Sequence, residues 1–107
     1  MRHLKADSFR ETIKAQGKPI VLDFYADWCG PCRMQAPVFQ DAENDANGRA
    51  AFYKVNIDDE PELAEAFGVM SIPTIAVMKD DEVRYRNIGF TNKAQILEAV
   101  DKAGRDG

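Results

Sequence analysis

Apolar residues along the chain keep two different rhythms. Some recur at helical spacing, such as Phe9 with Ile13, or Ile96 with Leu97, Val100 and Ala103. Others run on without a break, as in Pro19 to Tyr25 (PIVLDFY). The first pattern places side chains on one stripe of a helix, and the second suits a strand covered on both faces. Asp7 or Ser8 can cap the first helix, with Ser8 and Glu11 in capping-box spacing, and Gly17-Lys18-Pro19 breaks it. Ile20 to Tyr25 is the first clear strand. A second helix opens near Pro31, turns Met34, Val38, Phe39, Ala42 and Ala46 inward, carries Pro37 as a kink, and stops at Asn47-Gly48. Ala50 to Asn56 is another strand. A short helix capped by Asp58 or Asp59 follows, with Pro61 in its first turn, Leu63, Ala66 and Phe67 inward, and Gly68 at its end. Thr74 to Met78 and Glu82 to Ile88 make a hairpin about Asp80-Asp81. Thr91 caps a last helix that ends before Gly104.

A strand-helix-strand unit followed by a hairpin gives a mixed sheet with helices on its faces, an α/β fold. Residues 1–107 are expected to form one domain, since a chain of this length buries roughly two-thirds of its unfolded surface and needs no disulfide staple. The net charge is -4, from 14 Lys and Arg against 18 Asp and Glu, which argues against nucleic acid or an anionic membrane as partner. No stretch reaches the length of a membrane span, and the N-terminal residues lack the apolar core of a signal peptide. A cytoplasmic location is therefore expected, and nothing demands more than a monomer.

In a reducing compartment Cys29 and Cys32 point to catalysis or metal binding rather than to a permanent staple. They straddle the junction of the first clear strand with the following helix, close enough to form a disulfide. Cys29 stands at the helix N-terminus, where unsatisfied N–H groups and the macrodipole favour a thiolate. Cys32, a turn further in, should be the less exposed thiol. Cys29 would then attack and Cys32 resolve. Zinc needs about four ligands, and only His3 and carboxylates could join the pair. A structural disulfide would close too small a loop to stabilise much. A cysteine protease needs a histidine base, and His3 is the only histidine. Redox exchange is the reading that needs nothing further.

The stretches HLKADSF, PIVLDFYADWCGPCRMQAP, YKVNIDDEPELAEAFGVMSIPT and NIG resemble the thioredoxin family, in order and at its spacing. The resemblance covers essentially the whole chain. CxxC alone is weak, but WCGPC after an apolar strand with IPT further on is specific. The resemblance implies a thioredoxin-like fold, a central mixed sheet flanked by helices on both faces. It implies reversible dithiol-disulfide exchange that reduces protein disulfides, with no bound cofactor and no metal. Its partners would be disulfide-containing proteins and, as electron donor, a thioredoxin reductase. Cys29 would be the nucleophile, Cys32 the resolving thiol, Asp23 the buried carboxylate and Lys54 the lysine approaching it. Trp28, Gly30, Pro31, Ile72, Pro73 and Gly89 would form the substrate groove, with a cis bond between Ile72 and Pro73.

Each assignment has a plainer alternative. Asp23 could reach a helix cap or solvent instead of serving as a proton shuttle for Cys32. Lys54 could be an exposed edge charge, Pro73 the trans first residue of a strand, and Trp28 a core residue. The thiols could run as an oxidase or isomerase, or stand by in a binding module, although Gly30-Pro31 favours a reductant by resemblance. The chain also departs from the family: Asp80-Asp81 replaces the usual Asn-Gly, Tyr25 stands where some relatives carry tryptophan, and Met70-Ser71 precedes Ile72-Pro73 without glycine. The first strand is shortened.

Overall fold

A computed structural model describes residues 2–14 and 17–105. Its elements are β1 (Arg2–His3), a 3-10 turn (Ala6–Ser8), α1 (Phe9–Lys14), β2 (Ile20–Tyr25) and α2 (Gly30–Ala46). β3 (Ala51–Asn56), α3 (Pro61–Ala66), β4 (Thr74–Lys79), β5 (Glu82–Ile88) and α4 (Lys93–Arg105) complete it. The five strands form one sheet in the order β1-β3-β2-β4-β5. β1, β3 and β2 run parallel, whereas β4 and β5 are antiparallel additions. The sheet is mixed and α/β, as the chain order implies.

Period-two alternation divides the core between the two faces. Ile20, Leu22 and Phe24 point with Tyr53 and Val55 toward Ile13, Leu63 and Phe67, the side of α1 and α3. Val21, Phe52, Ile75 and Val77 point toward Phe39 and Ala42 of α2 and Ile96 and Val100 of α4. β2 thus has a strand on each side and helices over both faces, which explains its unbroken apolar run.

Several local expectations change. Ala6–Ser8 is a 3-10 turn entered at Lys5 without a side-chain cap, and the Ser8 hydroxyl donates to the Lys5 carbonyl at 3.5 Å. The end of α1 expected before Gly17 lies outside the described residues. β1 is indeed short, and β3 starts at Ala51 rather than Ala50. Glu60, not Asp58 or Asp59, precedes α3, and it caps nothing; its carboxylate accepts the Ala6 N–H at 2.8 Å. Asn56 Oδ1 instead takes the Asp58 N–H at 2.9 Å. Within α3 it is Ala64 that is buried, while Ala66 is exposed. Asn92, not Thr91, caps α4: its side chain accepts the Gln95 N–H at 2.8 Å, and the Gln95 side chain accepts the Asn92 N–H at 3.0 Å. Gly104 lies inside α4 rather than past its end.

Asn47 ends α2 in the left-handed region (φ 49°), as expected. Asp80 and Asp81 both hold positive φ, 52° and 69°, in the hairpin turn. The β4–β5 register shifts by one residue beside that turn, which leaves Arg84 as the extra residue of a bulge.

The largest surprise in α2 is an exchange of neighbours. Met34, expected inward, is exposed, and Gln35 is fully buried in its place. Gln35 Nε2 donates to the Thr91 carbonyl at 2.9 Å, and its Oε1 accepts the Thr91 N–H at 2.8 Å. One amide therefore satisfies both backbone groups of a buried residue just ahead of α4. Gln35→Leu should lower the unfolding free energy by about 2 kcal/mol or more, since each orphaned group costs about 1–3 kcal/mol. Urea titration checks this, and an unchanged midpoint would contradict it.

Candidate active site

The site is assembled where β2 ends and α2 begins. Cys29 is the N-cap of α2, and its Sγ accepts the Cys32 N–H at 3.2 Å. A sulfur here takes one of the donors that every helix start leaves unsatisfied, so the reduced form has a place for a thiolate. Pro31 sits in the first turn, where its missing N–H is no loss. Cys29 and Cys32 are joined in a disulfide, with Cα atoms 5.3 Å apart. The expected difference in exposure is absent in this oxidised state: Cys29 is 5% exposed and Cys32 4%. The disulfide packs against Ala26 and Ile72, which covers both sulfurs alike.

Two other segments meet it, and the chain neighbours of Cys29 flank it. The Ile72 carbonyl oxygen lies 3.8 Å from Cys29 Sγ, and the Ile72–Pro73 peptide is cis. The Gly89 N–H donates to the Pro73 carbonyl at 2.8 Å with φ at +97°, a backbone that glycine adopts readily. Trp28 is exposed rather than in the core, and its Nε1 donates to Asp58 Oδ2 at 2.8 Å. Gly30 and Pro31 are exposed beside it. The residues expected to line a groove therefore border the disulfide.

Asp23 lies behind, on the α2 side of the sheet. It is fully buried, and among the described residues neither carboxylate oxygen has a hydrogen-bond partner, so it reaches no helix cap. Burial raises its pKa to about 7, against the opposing pull of the Lys54 ammonium. Lys54 is register partner of Asp23 in β3, a strand with neighbours on both sides, so the edge-charge reading fails.

Beside Trp28, exposed apolar residues stand near the site that the sequence reading did not assign to it. Trp28, Met34, Met70, Ile88 and Phe90 are five of the six large hydrophobics exposed among the described residues, and all stand on segments that border the disulfide. A signal existed for Met70 and Phe90: both fall outside every periodic segment, so no core position was theirs to fill.

A cysteine pair capping a helix, a cis-proline loop against it and a buried carboxylate behind it define a dithiol-disulfide exchange site on an α/β sheet. Comparison with known proteins agrees. The sequence model of the thioredoxin family matches residues 1–102. The thioredoxin of Staphylococcus haemolyticus is 42% identical over 95 residues, which is 89% of each chain. That of Allochromatium vinosum is 34% identical over 99 residues, 92% of each chain. The crystal structure of chloroplastic thioredoxin z superposes with a TM-score of 0.87 at 26% identity, over 100% of this chain and 96% of that one. A point mutant of a thioredoxin from Halobacterium salinarum gives 0.84 at 26% identity, over 96% and 89%. The chain belongs to the thioredoxin family, and its chemistry is dithiol-disulfide exchange. No helix among the described residues is long and apolar enough to cross a membrane.

The carboxylate makes stability depend on pH. With a folded pKa of about 7 against 3.8 for an ordinary aspartate, the native state binds more protons than the unfolded one between those values. Stability is therefore intact below the unfolded value, falls as pH rises through this window, and is fully reduced above the folded value. Asp23→Ala should be more stable than the parent above pH 7 by about 2–4 kcal/mol, at about 1.36 kcal/mol per pH unit of difference. The gain should vanish below about pH 4. Urea unfolding of both oxidised proteins across that range decides it; a difference that does not vary with pH would contradict the assignment.

Proposed function

We propose that the protein reduces disulfides in other proteins, with Cys29 as attacking and Cys32 as resolving thiol. The observation that carries this is the Cys29 Sγ at the N-terminus of α2, accepting the Cys32 N–H at 3.2 Å. The Cys29 thiolate attacks one sulfur of a substrate disulfide, forming a mixed disulfide and releasing the first substrate thiolate. Cys32 loses its proton to the Asp23 carboxylate and attacks Cys29 Sγ. The Cys29–Cys32 disulfide forms, the second substrate thiolate leaves, and two electrons have passed to the substrate. A carboxyl with a pKa near the working pH suits that transfer. Lys54, beside Asp23, tempers the cost of its charge.

Substrate docks as an extended segment along the backbone of Ile72, next to cis-Pro73, with Trp28, Gly30, Pro31 and Gly89 bordering it. The exposed Met70, Ile88 and Phe90 supply apolar contact around that segment. The dithiol is restored by a flavoprotein reductase of the thioredoxin-reductase type. The chain works as a cytoplasmic monomer, residues 1–107 forming one domain.

Trapping tests the order of attack. Cys32→Ser incubated with a disulfide-bonded protein such as insulin should accumulate a mixed disulfide through Cys29, visible on a non-reducing gel and released by dithiothreitol. Cys29→Ser should accumulate none. A trapped adduct on Cys29→Ser instead would reverse the roles.

A further inference from the structure

Three polar side chains from three adjacent strands stand in one row across the sheet. His3 of β1 is register partner of Lys54 of β3, which is in turn register partner of Asp23 of β2. Tyr25, two residues beyond Asp23 on the same strand, shares its face. The row contains a buried carboxylate beside an ammonium, yet the two do not pair. Both Asp23 oxygens lack a hydrogen-bond partner among the described residues, while Lys54 Nζ lies 4.2 Å from the centroid of the Tyr25 ring. An ammonium over an aromatic face at that distance is held by the ring quadrupole.

The ring is itself held from the other side. The Tyr25 hydroxyl lies 3.4 Å from His3 Nδ1, and the two rings meet edge to face with centroids 6.1 Å apart. Half-buried, Tyr25 has its phenol pKa raised chiefly by burial, so it is uncharged at neutral pH. The other ionisable groups around this row are Asp27 and Asp59 near Tyr25, Arg33 on α2, and Cys32 once it is reduced. Arg33 lines the same cavity as Tyr25 and Lys54, and its guanidinium donates to the Asp27 carbonyl at 3.2 Å.

We propose that Tyr25 is a positioning residue whose ring captures the Lys54 ammonium and keeps it from closing an ion pair with Asp23. The capture matters because an ammonium within about 4–6 Å of a carboxylate lowers its pKa by about 1–3 pH units. A closed pair would leave Asp23 a weak base at neutral pH, whereas the captured lysine leaves it able to take a proton from a thiol. The functional consequence rests on the proposed role of Asp23 in resolution; the capture does not. Tyrosine and tryptophan offer the same kind of face to a cation, tryptophan the stronger.

The test follows the Asp23 carboxyl carbon by NMR through a pH titration of the oxidised protein. Tyr25→Leu should lower its midpoint by about 1–3 pH units. Tyr25→Phe and Tyr25→Trp, which keep an aromatic face, should leave it in place. In a Lys54→Met background, Tyr25→Leu should no longer lower it, because the captive charge is gone. A midpoint unmoved by Tyr25→Leu would overturn the proposal. So would an equal fall with and without Lys54, because the ring would then act through burial alone. The rate of mixed-disulfide resolution against pH separates the two readings. If the Asp23 midpoint falls and the rate profile stays, the capture stands and proton transfer through Asp23 fails.

Discussion

The enclosure of β2 governs this protein's chemistry. The strand is hydrogen-bonded on both sides and covered on both faces, so its residues from Ile20 to Phe24 are cut off from water. Its apolar residues lie there at no cost, but Asp23 cannot, because an ionised carboxyl without partners is strongly disfavoured in such a place. The strand therefore holds a carboxyl that gains and loses its proton near neutral pH. Where β2 emerges, the chain turns directly into α2, and the same rigid segment that buries Asp23 delivers Cys29 to a helix N-terminus. The Asp23 carboxyl and the Cys29 sulfur are thus positioned by one continuous piece of backbone.

The remaining parts of the site arrive from loops, and each is fastened by identifiable bonds. Gln35 ties α2 to Thr91, Gly89 bonds the carbonyl of Pro73, and Trp28 is steadied by Asp58. Cys29 and Cys32 are almost covered, while Trp28, Met70, Ile88 and Phe90 stay exposed.

The broad order of elements was readable because hydrophobic period distinguishes a buried strand from an amphipathic helix, and β2, α2 and α4 each keep theirs. The cysteine pair was readable from spacing and helix position alone. Asp23, Lys54, Pro73 and Gly89 needed the family resemblance, since each has an ordinary structural explanation in isolation. Other features could not be read, for physical reasons that differ. Gln35 looks like a surface residue until its partners are known, and those partners are backbone groups of Thr91, distant in sequence. Thr91 reads as the cap of α4, but it is buried against Gln35 and Asn92 takes that place. Asp58 leaves its helix start for an indole N–H. The contact between Lys54 and Tyr25 depends on the pairing of β2 with β3, which no local pattern specifies.

Geometry alone is neutral about the direction in which electrons move, because the same thiols can reduce or oxidise. The reductant reading follows from the family and from Gly30-Pro31 between the cysteines. Equilibrating the Cys29–Cys32 couple across graded dithiothreitol buffers and trapping the thiols gives its potential. A reductant should show a value more reducing than about −230 mV, below the range of glutaredoxins. A value above about −180 mV, in the range of isomerases and oxidants, would contradict that direction.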